Sequence, residues 1–194
     1  MKSGENIIFK NPLHNEDKNQ IIQNLKNMKR AIAISNENFI VTNGTDEDLA
    51  QYFAIGNETM IISDDFDKLS QNDIYQIMCA GRKEEYEKIL QGTKNAQIAA
   101  WWDKAVDIIP ANGGKGNAVS AVLKYYGFSK EEAIAFGDGQ NDIEMLEAVG
   151  TGVAMGNAKD EVKERADAVC KSVEENGVYY YCLENKLITE IDEP

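Results

Sequence analysis

The stretch AIAFGDGQNDIEML, residues 133–146, decides the fold of this chain. A short apolar run is followed by a Gly-Asp-Gly turn and then by apolar residues at helical spacing. This order predicts a buried strand, a sharp loop and a helix. Apolar and helical segments continue to alternate after it, such as GVAM at 152–155 and AKDEVKERA at 158–166. We therefore predict an α/β fold with a doubly wound parallel sheet for residues 106–194.

The loop that ends this strand carries the residues best suited to chemistry. In doubly wound sheets, ligands bind at the carboxyl ends of the strands. Asp138 and Asp142 stand four positions apart in this loop, and Asn141 lies between them. Carboxylate and amide oxygens are ligands that Mg²⁺ prefers. The alternative is a plain Gly-Asp turn in which Asp142 only caps the next helix.

Lys115 is the second candidate. It follows a glycine-rich loop in PANGGKGNA and is predicted to open a helix, where its ammonium could meet a phosphate. The segment is not a nucleotide-binding P-loop, because Ile109 stands where the first glycine of that motif belongs and Gly116 replaces its Ser or Thr. The alternative is a solvated surface lysine.

Residues 1–105 show a different order of predicted helices and strands. Their predicted helices and strands follow no parallel βαβ rhythm, which favours an α+β lobe with an antiparallel sheet. Helices are predicted within 16–29, after a capping box of Thr45 and Asp48, and over 82–92. Strands are predicted at 31–35, 38–43, 59–63, 74–80, 97–102 and 105–109. The predicted domains are 1–105 and 106–194.

Composition limits the classes of function. The net charge of −13 disfavours nucleic acid as a partner. The sequence has neither a long apolar run nor a signal-peptide pattern, so we expect no membrane association. Cys79, Cys170 and Cys182 form no CxxC pair, which indicates reduced thiols and a cytoplasmic protein. The single histidine, His14, cannot supply a multi-histidine metal site.

Together, several segments resemble the C-terminal half of haloacid dehalogenase superfamily phosphatases, most closely the Cof-type branch. The resemblance runs from about residue 105 to the end, and the earlier lobe is similar to the cap of that branch in pattern only. The segments that carry it are DIIPANGGKGNAVSAVL (107–123), AIAFGDGQNDIEML (133–146), GTGVAMGNAKDEVKERADAV (150–169) and ENGV (175–178).

The resemblance implies a role for each candidate residue. Lys115 would neutralise charge on a phosphoryl group and on the attacking aspartate. Asp138 would bind Mg²⁺ directly, and Asp142 would coordinate the ion or hold its water shell. Asn141 would contact the phosphate. For Asn157, the shaping of a nearby loop and a functional role are both open. The implied activity is Mg²⁺-dependent hydrolysis of a small phosphorylated metabolite.

The family also begins with a strand that ends in DxDGT, whose first aspartate is the nucleophile. This motif does not occur in the 194 residues. Asp65 and Asp67 form a DxD after an apolar run, but Lys68 and Leu69 replace Gly-Thr. The possible second motif, ending at Thr42, also precedes them, which is the wrong order. A solvated acidic turn is the other interpretation.

We therefore expect a chain that holds the cap and half of the core, and a catalytic site that is incomplete without a nucleophile. The alternative is a non-catalytic fragment, or one subunit of a split enzyme, that keeps only the metal and phosphate half-site. The strand at 133–136 would then have an open edge. We expect that edge to pair with a second copy of the chain or with a separate N-terminal fragment.

Overall fold

The computed structural model describes residues 2–3 and 6–189. The chain divides into two compact units by its internal contacts. The first comprises Lys10–Gly113, and the second combines the residues up to Phe9 with those from Gly114 onward. The division follows Gly113 because the last strand of the first unit runs to Pro110 and pairs within that unit.

The first unit contains the longest helix and five of the ten strands of the described residues. Two short antiparallel strands, β1 (Lys2–Ser3) and β2 (Asn6–Ile7), precede it in the chain and belong to the second unit. The elements of the first unit are α1 (Asn15–Asn27), β3 (Ile32–Ser35), β4 (Ile40–Thr42), α2 (Glu47–Ile55), α3 (Phe66–Leu69), β5 (Gln76–Ala80), a 3₁₀ turn (Lys83–Glu85), α4 (Tyr86–Ile89), β6 (Ala96–Ala99) and β7 (Ala105–Pro110).

Five of these strands form one antiparallel sheet in the order β4-β3-β5-β7-β6. Alternate residues of β3 face opposite layers, as the two-residue period of a strand requires. Ile32 and Ile34 belong to the apolar cluster that includes residues of α1, whereas Ala33 belongs to the cluster that includes residues of α2. The predicted α+β lobe with an antiparallel sheet is confirmed.

Some predicted elements of this unit differ from the structure. Asp46, not Thr45, caps α2, because its carboxylate accepts the N–H of Leu49 at 2.9 Å. The strand predicted at 59–63 is reduced to one bridge between Thr42 and Ile62, and the Ile62 side chain stays exposed. Ile61 is exposed as well, and an apolar run that gains so little burial has little reason to extend its pairing.

The helix predicted over 82–92 is also shorter and split. It begins as the 3₁₀ turn and continues only as α4. Thr93 then donates both its N–H and its hydroxyl to the carbonyl of Leu90, at 3.0 and 2.7 Å, so that carbonyl is not free for another helical turn. Gly92 lies between them with a φ of +82° and redirects the chain.

The second unit alternates strands and helices. Its three-stranded sheet is parallel throughout, in the order β10-β9-β8, so the predicted parallel sheet is confirmed. Its elements are α5 (Lys115–Tyr126), a 3₁₀ turn (Lys130–Glu132), β8 (Ile134–Gly137), a 3₁₀ turn (Gln140–Asp142), α6 (Ile143–Glu147), β9 (Thr151–Ala154), α7 (Asp160–Lys163), β10 (Ala168–Val169), a 3₁₀ turn (Val173–Glu175) and α8 (Gly177–Glu184).

This second unit is much less buried than the first. Its core cluster lies between the sheet and the helices α6 and α7, with Leu146, Ala154 and Val162 almost inaccessible. The helices α5 and α8 each bury only a glycine. Within the described residues, no strand pairs with the outer edge of β8. The part of the chain that the structure describes also contains no helix long and apolar enough to cross a membrane.

Candidate active site

The GDGQND loop leaves the carboxyl end of β8 and folds around one buried carboxylate. Asp142 is only 5% exposed, and its Oδ2 accepts the N–H groups of Asp138 at 3.1 Å and Gly139 at 3.0 Å. Gly137 is required here, since a Cβ at that position would lie 2.6 Å from the Cβ of Asp142. The loop is therefore built around Asp142, and its backbone amides point inward to it.

Lys115 meets the same carboxylate from the start of α5. Its Nζ donates to Oδ1 of Asp142. The helix comes this close because Gly116 packs against the backbone of α6, where an added Cβ would lie 2.6 Å from the carbonyl oxygen of Glu144. The Lys115 side chain remains 49% exposed, so the ammonium is fixed by Asp142 and still reaches solvent.

These contacts set the charge state of Asp142. Burial raises the pKa of its carboxyl, but hydrogen bonds from Lys115 and from the backbone of Gly139 and Asp138 outweigh that effect, and the pKa falls below its usual value. Asp142 is thus an ionised, fully engaged carboxylate at neutral pH. Its oxygens are used by the ammonium and by two backbone N–H groups.

Asp138 is held by a side chain from a different loop. It is exposed, and its Oδ2 accepts a hydrogen bond of 2.8 Å from Nδ2 of Asn157. Asn157 lies after β9, and its Oδ1 accepts the N–H of Val173 at 3.1 Å. One asparagine thus connects the loops that follow β8, β9 and β10. The sequence singled out Asn157 but gave no sign that its partner is Asp138.

The structure also shows how far these residues suit Mg²⁺. Among the described residues, no three His, Cys, Asp or Glu side chains are grouped as a metal site would need. Asp138 offers a carboxylate that is oriented and open to solvent. Because Asp142 is occupied by Lys115 and backbone amides, Asp138 is the better placed oxygen donor, and the fit to Mg²⁺ is that of a partial site.

The other acidic pair lies in the first unit and on its surface. Asp65 and Asp67 are exposed and flank the buried Phe66 at the start of α3. Asp67 accepts a hydrogen bond of 2.8 Å from Nζ of Lys26. Neither aspartate follows a strand of the sheet. This arrangement favours the interpretation as a solvated acidic turn.

Comparison with known proteins identifies the family. The sequence pattern of the haloacid dehalogenase-like hydrolases matches residues 1–182. The chain belongs to this family. This match and the relatives described below confirm the resemblance to Cof-type phosphatases. The structural match described below confirms the haloacid dehalogenase-like α/β fold.

Two curated relatives of this haloacid dehalogenase-like chain are phosphatases. It is 36% identical over 114 residues to the 5-amino-6-(5-phospho-D-ribitylamino)uracil phosphatase YwtE of Bacillus subtilis, covering 56% of this chain and 40% of that protein. It is 42% identical over 102 residues to the pyridoxal phosphate phosphatase YbhA of Escherichia coli, covering 52% of this chain and 35% of that protein. The chain thus spans less than half the length of either relative.

A solved structure shows the same fold. The subclass IIB sugar phosphatase BT4131 aligns with a TM-score of 0.86 and 24% identity, over 96% of this chain and 72% of that one. At this level of identity the likeness supports the fold and nothing about substrate. It nevertheless extends the similarity beyond the GDGQND half and includes residues for which the sequence showed only a general pattern.

Proposed function

We propose that the chain forms the phosphate-handling part of a Mg²⁺-dependent phosphatase that acts on small phosphorylated metabolites in the cytoplasm. The observation that carries the proposal is the Lys115 ammonium, oriented by the buried Asp142 at the carboxyl end of β8 and half open to solvent. Phosphoryl transfer depends mainly on positioning and on neutralising charge, and a fixed ammonium beside an open carboxylate suits both needs.

Each residue has a defined part in this proposal. Lys115 binds the phosphoryl oxygens, and Asn141, half-buried in the same loop, contributes a phosphate contact. Asp138 would hold Mg²⁺ together with water, and the ion would supply further positive charge to the phosphoryl group. Asp142 positions the Lys115 ammonium and the backbone of the loop. Its occupied oxygens favour this positioning role over direct metal coordination.

The nucleophile, in this proposal, belongs to a segment outside the 194-residue sequence. DxDGT does not occur in that sequence, and Asp65 and Asp67 lie on an exposed turn of the other unit. We propose that the first unit, Lys10–Gly113, is the cap, and that the second completes its site with a DxDGT-bearing segment. Such a segment would belong either to a longer form of the same protein or to a separate chain.

Phosphate binding tests the half-site without requiring turnover. Titration calorimetry with inorganic phosphate and Mg²⁺ should show binding that weakens at least about tenfold in Lys115→Met, since a charge-assisted hydrogen bond contributes about 1.5–3 kcal/mol. Lys124→Met, in the last turn of the same helix, should bind like the unchanged protein. Equal binding by both variants would contradict the proposal.

A second candidate function is a non-catalytic or split-enzyme subunit. It is favoured by the outer edge of β8, which carries no strand in the described residues, and by exposed apolar side chains in the same unit such as Phe128 and Val173. An edge of this kind invites pairing with another strand. The two proposed partners are a second copy of the chain and an N-terminal fragment. The proposed ligands are still small phosphorylated metabolites.

Turnover separates the two candidates. The named substrates of the relatives, pyridoxal phosphate and 5-amino-6-(5-phospho-D-ribitylamino)uracil, are the first to screen beside p-nitrophenyl phosphate. Activity that appears only with an added DxDGT-bearing fragment supports the phosphate-handling half-site, whether that fragment belongs to a longer protein or to a split enzyme, and no activity even with the fragment favours the non-catalytic subunit. Activity of the chain alone that disappears in Asp65→Asn would instead make the exposed acidic pair catalytic and overturn the assignment of the nucleophile.

A further inference from the structure

The first unit contains a cavity that the proposed function does not use. It has a volume of about 240 Å³ and lies between α2 and the sheet. Small-molecule sites usually measure ~300–1,000 Å³, so this one suits a single ring rather than a large ligand. The described residues that line it are Ser35, Ile40, Tyr52, Phe53, Gly56, Glu58, Gln76, Met78 and Trp101.

Three aromatic side chains line the cavity. The rings of Tyr52 and Trp101 lie 4.9 Å apart at 42°, and Phe53 meets Tyr52 edge-on at 6.0 Å. Trp102 also stacks near the Trp101 ring, at 6.5 Å and 25°, but Trp101 remains 41% exposed, so part of its ring is available to a guest. Aromatic side chains bind planar groups by offset stacking or edge contacts.

Two hydrogen-bond donors that line the cavity are already used. The Tyr52 hydroxyl donates to Oδ1 of Asp107 at 2.5 Å and accepts Nε1–H of Trp101 at 3.2 Å. Burial raises the pKa of Asp107, and side-chain hydrogen bonds from Tyr52, Gln76 and Trp101 partly oppose that rise. Gln76 also lines the cavity, and a side-chain carbonyl oxygen of this kind can accept a hydrogen bond from a guest.

The charge of the residues that line the cavity also favours a guest that donates hydrogen bonds. The described lining residues include no Lys, Arg or His, and Glu58 brings a carboxylate. An anion or a phosphate would therefore meet acceptors and negative charge. A neutral or cationic group with N–H donors would meet the carboxylate of Glu58 and the carbonyl oxygen of Gln76.

We propose that this cavity binds a planar nitrogen heterocycle that donates N–H hydrogen bonds to Glu58 and Gln76 and stacks on Trp101. The inference does not rest on the proposed phosphatase function, because the ligand needs no phosphate and Lys115 plays no part. Carboxylates accept readily from the exocyclic amine of a base such as cytosine, which makes cytosine a suitable probe.

Calorimetric titration of the whole chain with three probes tests the proposal. Cytosine is planar and has N–H donors, benzoate is planar and anionic, and ribitol has many donors but is not planar. Saturable binding is expected for cytosine alone. It should weaken at least about tenfold in Trp101→Leu, as ~1.4 kcal/mol of lost stacking implies, and remain in Tyr125→Leu, which changes an exposed aromatic residue of the other unit.

A charge-reversal variant keeps the test independent of any packing defect. Glu58 is exposed, so Glu58→Lys should leave the circular dichroism spectrum unchanged while it weakens cytosine binding and allows benzoate to bind. The proposal is overturned if cytosine does not bind, if benzoate or ribitol binds the unchanged protein equally well, or if neither Trp101→Leu nor Glu58→Lys alters cytosine binding.

Discussion

At the scale of single residues, one buried carboxylate organises the candidate active site. Asp142 joins the first residue of α5 to the amides of the loop after β8, so it fixes both a side-chain charge and a backbone shape. Removing its charge while keeping its size should therefore unsettle Lys115 and the loop together. Glu164, an exposed acid of the same unit, lies outside this loop and serves as the control.

Asp142→Asn should lower the free energy of unfolding at pH 7 by about 2 kcal/mol, the scale of a charge-assisted hydrogen bond. The asparagine still accepts the two amides, but it loses the ion pair. Because the folded-state pKa of Asp142 lies below its unfolded value of ~3.9, this stabilisation is present above pH ~4 and is lost as the pH falls through the folded pKa.

Urea denaturation at pH 7 and below pH 4 measures this difference. The gap between the unchanged protein and Asp142→Asn should shrink at the lower pH. Glu164→Gln, on the surface at the end of α7, should change stability by less than ~0.5 kcal/mol at either pH. A gap that stays constant with pH would show that Asp142 contributes through packing and not through its charge.

At the scale of elements, glycines decide how closely the strands and helices of the second unit approach. Gly152 lies in β9, and a Cβ there would sit 2.4 Å from the backbone oxygen of Leu146 in α6. Gly127 ends α5 with a φ of +74°, yet it has open space around it. Gly152 is therefore required for close packing, whereas Gly127 is required only for its backbone conformation.

Gly152→Ala should lower the free energy of unfolding by about 3 kcal/mol, because helix and sheet must move apart to admit the methyl group. Gly127→Ala should cost only about 1 kcal/mol, the penalty of a left-handed residue. Thermal and urea unfolding of both variants measures the difference. Equal costs would mean that α6 does not pack against β9 as closely as the structure shows.

The elements also show what sequence can predict. Strand β8 and the helix after it were predicted because apolar residues, glycines and helical spacing lie close together in the chain. The segment 59–63 was wrongly predicted to be a full strand, since its apolar residues resemble a strand locally but gain only one bridge. Whether a partner strand continues beside a segment depends on residues far away in sequence.

The residues of the candidate site could be selected from the sequence, but the contacts between them could not. Lys115, Asp138, Asn141 and Asp142 were selected from local patterns and the family resemblance, and their catalytic roles stay predictions. The ion pair between Lys115 and Asp142, and the hydrogen bond between Asn157 and Asp138, depend on tertiary packing. Local patterns carry no such information, so the positioning role proposed for Asp142 could only follow from the structure.

At the scale of the whole molecule, the two units differ in how completely they bury their apolar residues. The first has several core residues with no exposure, including Ile32, Ile77 and Ile108. In the second, Ile134 on the outer strand is 37% exposed, and α5 and α8 are scarcely buried. This contrast supports the proposal that the second unit pairs with further chain along β8.

Ile134→Lys should reduce concentration-dependent association of the chain, because a lysine on an edge strand discourages strand pairing. Ile55→Lys provides a matched control, since Ile55 is 56% exposed and lies at the end of α2 in the other unit. Multi-angle light scattering over a range of concentrations measures the effect. A monomer at every concentration, with or without Ile134→Lys, would contradict association of the chain through this edge.

The most direct test of the central claim is Mg²⁺-dependent hydrolysis of p-nitrophenyl phosphate, measured with and without a fragment that carries DxDGT. The claim is that Lys115 and Asp138 supply the charge for phosphoryl transfer, while the nucleophile lies outside these residues. The predicted result is turnover only with the fragment, abolished by Lys115→Met and by Asp138→Asn. Turnover by the chain alone, or turnover with the fragment that survives both substitutions, would contradict it.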